Sequence, residues 1–308
     1  MKDQKIAVAI PTYRRPELLL ALTLSLPNHI PISVSDNDCS MSGMSVKFGA
    51  NVNINCAHQL LPIFANWNRA LSLLSPESTH VLIPSDDDLY LPQALQIVEA
   101  ALSSHPDADM IVFGCDLVDE QGTTRSGWCP SKEQRMEPGD GFLAFEQGVD
   151  ARMPGVLFRK SFLTSLGGFD ERFELTAADS ELIQRAALLG RTVFIPETIG
   201  LYRIWSGSLT HARQATDQWM DEVALWTGKI AALLESGHHP AGTKIDAVRY
   251  RDEIFSRNLL AALGNLLSQG EFDKARGFLR RHPVPARAAS LTRLRLLRLE
   301  LLIWLRAR

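Results

Sequence analysis

Asp86, Asp87 and Asp88 set three carboxylates side by side, directly after the apolar run 81–83 and shortly before Pro92. Three adjacent negative charges repel one another, and a divalent cation held by oxygen ligands offsets that repulsion. The same residues also suit a solvated turn or a helix start, because aspartate favours both. Two further polar stretches occupy comparable settings. Asp36 and Asn37 follow the apolar run 30–34, and Asp179 stands near the start of a segment with helical spacing. A carboxylate there can take a proton, or simply cap the helix and meet its dipole, which would lower its pKa.

The elements that must position these groups are legible in outline. The near-continuous apolar run 6–10 predicts a strand buried on both faces. A loop, Pro11 to Pro16, and a helix over 18–26 follow it. Further strands are expected at 30–34, 81–83, 110–113, 155–159 and 193–196, with an extended edge over 199–205. Helices are expected at 60–74, after Pro92, and from about 177 to 189. Residues 41–57 give no clear pattern, and 120–140 reads as irregular. Strands alternating with helices predict a mostly parallel α/β sheet, and ligands bind such sheets outside the carboxyl ends of the strands. From about residue 208 the pattern is helical: 219–234, 254–267, 272–280 and 291–305. The expected division is an α/β domain over 1–212 and an all-helical domain over 213–308.

A chain of 308 residues can bury a full core. Its 32 basic and 35 acidic residues leave a net charge of −3, which gives no nucleic-acid signal. The charge is uneven. From Ala275 onward there are nine arginines and one acid, a net +8, so the remainder carries −11. The four cysteines, Cys39, Cys56, Cys115 and Cys129, show no CxxC spacing. They are expected to be free, in a reducing, cytoplasmic setting. No signal-peptide core and no apolar run of about 18 residues are present. The 291–305 helix is too short and too charged to span a bilayer. Its arginines could meet anionic lipid as a peripheral contact, or snorkel from a helix packed on the protein.

In order along the chain, Ala9-Ile10-Pro11-Thr12-Tyr13-Arg14-Arg15, Val34-Ser35-Asp36-Asn37, Ser85-Asp86-Asp87-Asp88, Leu166-Gly167-Gly168-Phe169-Asp170 and Ala178-Asp179-Ser180-Glu181-Leu182 resemble the motifs of family 2 glycosyltransferases. The resemblance covers roughly residues 5–210. It implies a GT-A-type, Rossmann-like fold and a nucleotide-sugar donor such as a UDP-, dTDP- or GDP-sugar. It also implies inverting transfer of the sugar to a hydroxyl of a glycan or lipid-linked acceptor, as in polysaccharide biosynthesis. Pro11, Thr12, Tyr13, Arg14, Asp36, Asn37, Asn66, Asp86 and Asp87 then fall at donor-contacting positions. Asp86 and Asp88 have the DXD spacing for Mn²⁺ or Mg²⁺, with Asp87 as the substitute ligand, and Asp179 matches the catalytic base, with Glu181 and Asp170 behind it. Arg14 and Arg15 could equally meet phosphate or water, and Asn66 and Arg69 suit structural roles. Gly167-Gly168 suits a tight turn on the acceptor side.

Three departures shape the expectation. Ala178 replaces the acid that often precedes the base. Trp205 stands where many relatives have a histidine, with His211 nearby. The Gln-x-x-Arg-Trp stretch of processive members is absent, which favours single additions. A sugar-nucleotide pyrophosphorylase would need a Gly-rich loop after the first strand, and residues 11–16 contain no glycine. The remaining alternative is a degenerate, membrane-associated binding scaffold of the same fold.

Overall fold

The computed structural model describes residues 5–41, 48–205 and 213–306. The domain boundary expected at 212, and His211, lie outside the described residues. Strand β1 (Ile6–Thr12) is buried along its whole length. Its Ala7 and Ala9 face one apolar cluster, and Ile6, Val8 and Ile10 the other. That two-sided burial is why its sequence runs apolar without alternation. Burying Ile6, Val8 and Ile10 contributes roughly 1.5–3 kcal/mol each, and the alanines less.

Helix α1 (Pro16–Leu24) opens on a proline and returns the chain to β2 (Ile32–Asp36), which pairs parallel to β1. Strand β3 (Val52–Cys56) then adds parallel to β2. It escapes the sequence reading although Val52, Ile54 and Cys56 alternate with Asn53 and Asn55, because the pattern is only five residues long and follows a Gly- and Asn-containing stretch that reads as a loop. Helix α2 (Ile63–Ser72) leads to β4 (His80–Leu82), parallel to β1 on its other side. Parallel strands all exit at one sheet edge. The end of β1 and the loops after β2 and β4, which hold Thr12, Asn37 and the aspartates, therefore converge there.

The aspartates run into β5 (Leu89–Tyr90) and α3 (Ala94–Ser104), and then β6 (Met110–Val118). Leu95, Val98, Ala101 and Leu102 of α3 are buried, as their spacing predicts. The stretch expected to be irregular contains two short strands, β7 (Thr124–Arg125) and β8 (Gln134–Met136). Strand β9 (Val156–Arg159) is antiparallel to both β4 and β6, so the sheet is mostly rather than wholly parallel. Helices α4 (Lys160–Ser165) and α5 (Ala177–Leu189) precede β10 (Thr192–Arg203).

Strand β10 corrects an expectation. Residues 193–196 and 199–203 belong to one strand, and its second half is not an edge, because β6 lies on one side and β5 on the other. The register shifts between Phe194 and Gly200, where Pro196 cannot donate a ladder hydrogen bond. The two-residue β5 that covers the edge is too short to show periodicity. The path through the sheet is β3-β2-β1-β4-β9-β6-β10-β5.

The cysteine expectation is also corrected. Cys39 and Cys56 are paired as a disulfide, with Cα atoms 4.8 Å apart. The β2–β3 register sets Cys56 opposite Asp36, three residues before Cys39, and the unreadable stretch between them hid this. Cys115 and Cys129 are free.

Helices α6 (Asp217–Glu235), α7 (Ala247–Ser268), α8 (Phe272–Arg281) and α9 (Ser290–Arg306) complete the described chain. Val223, Trp226, Ile230, Tyr250 and Ile254 of α6 and α7 belong to the same apolar cluster as Phe158 of β9 and Leu182 of α5. A separate cluster, including Leu259, Leu263, Phe278, Leu296 and Ile303, joins α7, α8 and α9.

Candidate active site

A cleft of about 1870 Å³ opens at the carboxyl edge of the sheet, between it and the C-terminal helices. Asp86, Asp87, Asp88 and Asp179 all line it. So do Pro11, Thr12, Tyr13, Asn37 and Asn66. Asp36 and Arg14 do not. The Asp36 carboxylate is buried and turned back on its own loop, accepting from the backbone N–H of Met41 at 2.9 Å. Arg14 is exposed, in a left-handed backbone conformation, and pairs with Asp38 at 3.0 Å. Asn37 is fixed by a reciprocal pair to Leu61: its Nδ2 donates to the carbonyl at 2.9 Å and its Oδ1 accepts from the N–H at 2.8 Å. Asn66 accepts from the Ser35 hydroxyl at 2.6 Å, which holds α2 against the end of β2.

The three aspartates sit in unlike surroundings. Asp86 is buried and fully engaged: Thr12 Oγ1 donates to it at 2.8 Å and Arg15 Nη1 at 3.0 Å. Burial outweighs the Arg15 charge and pushes its carboxyl up to about 6. Asp87 accepts from Arg15 Nη1 at 3.2 Å and from the Trp205 indole at 3.0 Å. Arg15 in turn stacks over the Trp205 ring at 4.9 Å. Asp88 accepts from the Ser85 N–H at 2.9 Å and has no ion-pair partner among the described residues. Burial, and then the Asp87 charge, push its carboxyl well above the usual carboxylate range. Arg203 Nε donates to the Asp87 carbonyl at 2.9 Å, clamping the loop from β10.

A hard divalent cation takes oxygen ligands and shares phosphate oxygens. The donor chemistry fits it best at Asp88, a buried carboxylate without a counter-charge, with the partly exposed Asp87 beside it. Asp86 uses both carboxylate oxygens, Oδ2 for Thr12 and Oδ1 for Arg15, whereas Asp87 meets Arg15 and Trp205 through Oδ2 alone. Among the described residues, no three His, Cys, Asp or Glu side chains form a preformed metal cluster, so any remaining ligands would come from a phosphate and water.

Asp179 occupies the first turn of α5, half-buried, accepting from the Ser180 N–H at 2.7 Å. Its carboxyl is raised, because burial outweighs the Arg152 charge and the local N–H groups. The downward shift expected from the helix dipole is therefore not the net result. The two reserve candidates are held elsewhere. Glu181 is fully buried between Arg185 Nε at 2.7 Å and Lys229 Nζ at 2.9 Å. Asp170 is held well below the usual range by its hydrogen bond to Arg172, and also bonds Lys229 at 2.7 Å. Neither lines the cleft.

Gly167 and Gly168 take positive φ angles of 81° and 69°. The turn is fastened to α2, where Asn68 Nδ2 donates to the Phe169 carbonyl and its Oδ1 accepts from the Phe169 N–H, each at 2.9 Å. It supports the site without lining it. Two cleft residues carried no signal in the sequence: Arg152, which lies over the Tyr202 ring at 5.1 Å, and Tyr202 itself. The chain around Arg152 shows no pattern, Tyr202 enters only as part of the stretch leading to Trp205, and only the fold brings the two to Asp179.

No protein-family profile matches the chain, and no curated protein sequence does. Its fold is similar to that of S. aureus TarS residues 1–349. The likeness to the form in complex with UDP-GlcNAc has a TM-score of 0.65 at 16% identity, over 92% of this chain and 84% of that one. For the complex with UDP the values are 0.59 and 16%, over 95% and 87%. For the protein alone they are 0.60 and 17%, over 92% and 83%. The chain thus has the expected GT-A-type α/β fold, with a helical C-terminal part.

Proposed function

We propose that this protein is an inverting glycosyltransferase of the hexosyltransferase kind. It moves a single sugar from a nucleotide-sugar donor to a hydroxyl of a glycan or lipid-linked acceptor. One observation carries the reading: the aspartate triplet and Asp179, 91 residues apart in sequence from Asp88, open into one cleft large enough for a donor and an acceptor together. The fold likeness to a protein solved with UDP-GlcNAc and with UDP favours a UDP-sugar donor.

The chemistry follows from these side chains. Asn37, Asn66, Pro11, Thr12 and Tyr13 border the part of the cleft where a nucleotide would lie. Arg15, held on Asp86 and Asp87, stands ready to meet diphosphate oxygens. Asp88 with Asp87 would hold a Mn²⁺ or Mg²⁺ ion, whose Lewis acidity compensates the charge developing on the leaving diphosphate. In the same cleft, Asp179 accepts the proton of the acceptor hydroxyl as its oxygen attacks the anomeric carbon. The carbon–oxygen bond to phosphate breaks, and the nucleoside diphosphate leaves with the electron pair. A raised carboxyl pKa makes Asp179 a stronger base than an ordinary aspartate.

Thermal shift with UDP-GlcNAc, with and without Mn²⁺, tests donor and metal together. Wild type should be stabilised only when both are present. Asp88→Ala should lose that metal-linked gain. Asp179→Ala should keep it while losing transfer to acceptor. A metal-independent shift, or normal transfer by Asp179→Ala, would refute the respective assignment.

A further inference from the structure

Helix α9 is apolar on two sides. Thr292, Leu296 and Ile303 turn inward and are buried, with Leu296 and Ile303 packed in the cluster shared with α7 and α8. At about 100° per residue, Leu294, Leu297, Leu301, Trp304 and Leu305 fall on roughly the opposite side. These five are 47% to 66% exposed. Arg293 lies along one border of this outward face, and Arg298, then Arg295 and Arg306, along the other; all four are exposed. Arg276 and Arg280 of α8 stack over Trp304 at 4.7 and 5.6 Å, adding cations at the same place. Glu300, the helix's single acid, is half-buried.

We propose that the outward face of α9 docks the protein onto an anionic lipid surface. A contiguous exposed apolar patch marks an interaction site. Leucines with a tryptophan, bordered by arginines whose stems follow apolar surface while their heads stay in water, suit a helix lying in a bilayer interface. Charge selects the occupant. A second copy of this face would set arginine against arginine, whereas anionic headgroups compensate them. Among the described residues, no helix is long and apolar enough to cross a membrane, so the contact is peripheral. Leu291 and Arg295 of the same helix line the cleft. Docking therefore holds the cleft mouth beside the bilayer, where a lipid-linked acceptor presents its hydroxyl. That last step rests on the transferase reading; the docking does not.

The test is co-sedimentation of the full chain with vesicles of phosphatidylcholine alone, or of phosphatidylcholine mixed with phosphatidylglycerol. The bound fraction should rise about ten-fold with the anionic lipid and fall as salt is added. Tryptophan fluorescence should shift to the blue on binding, and Trp304→Phe should lose the shift. The double variant Leu294→Glu/Leu301→Glu should stay in the supernatant while keeping wild-type circular dichroism, since both leucines are exposed. Arg293→Glu/Arg298→Glu should lose the preference for anionic lipid. Wild type that ignores both vesicles overturns the proposal, as does a leucine variant that binds like wild type. So does light scattering that shows a dimer in wild type and a monomer in the leucine variant without vesicle binding, which would make the face a self-interface.

Discussion

At the scale of the residue, burial sets the chemistry of the cleft more than formal charge does. Asp179 is raised above the ordinary value of 3.8 because it loses water, even with Arg152 nearby. If it is the base, transfer needs it ionised. The acidic limb of the kcat/KM profile should then fall at a pH above 3.8, and a limb at or below that value would remove the assignment. Asp86 makes a second, independent prediction. Its folded-state pKa of about 6 exceeds its unfolded value, so the native state holds this proton more tightly. The stability it contributes is fully present below about pH 4 and is lost as pH rises through about 6. Asp86→Asn stays neutral throughout and can still accept from Thr12. In the ligand-free protein it should unfold at higher urea than wild type above pH 6, by on the order of 2–3 kcal/mol, a net figure in which the Arg15 pair is already included. The two should converge near pH 4. Parallel pH profiles for the two proteins would show that burial does not strain Asp86.

At the scale of the element, the turn before α5 shows how a supporting segment places a functional one. Arg185 of α5 donates to the carbonyls of Leu166 and Gly168, and Asn68 of α2 grips Phe169, so α5 is located relative to α2 through this loop. Both glycines have positive φ, but their surroundings differ. A Cβ on Gly168 would lie 2.6 Å from Asn68 Oδ1, whereas one on Gly167 would meet nothing within 4 Å. Gly168→Ala should therefore cost more than Gly167→Ala, which carries only the backbone penalty of roughly 1 kcal/mol. Urea midpoints of the two variants decide it, and equal costs would mean that the loop gives way freely. The Gly-Gly pair is visible in the sequence. That the second glycine alone has a neighbour to clash with is visible only in the fold.

At the scale of the whole molecule, the C-terminal helices form part of the site's foundation. Gln184 of α5 accepts from the Trp226 indole at 2.7 Å and from the Tyr250 hydroxyl at 2.5 Å. Glu222 of α6 accepts from the N–H groups of Glu174 and Leu175, just before the helix that carries Asp179. A chain ended at residue 212 leaves Gln184 without these partners and uncovers the apolar cluster around Leu182. Such a chain should aggregate or bind a hydrophobic dye, while the full chain unfolds in one transition. A soluble, cooperatively folding 1–212 fragment would show that the helices are an independent appendage.

The sequence by itself determined the alternation of strands and helices, the polar loops at strand ends, and the identity of Asp86–Asp88 and Asp179 as the groups to watch. Those signals are local: side-chain periodicity, turn chemistry and runs of one charge. Tertiary structure alone decided which of these groups share a cleft. It turned Asp36 inward, joined Cys39 to Cys56, threaded the antiparallel β9 between β4 and β6, and brought Arg152 and Tyr202 to Asp179. It also left one face of α9 bare. Each of these depends on contacts between residues far apart in the chain, which no local pattern encodes.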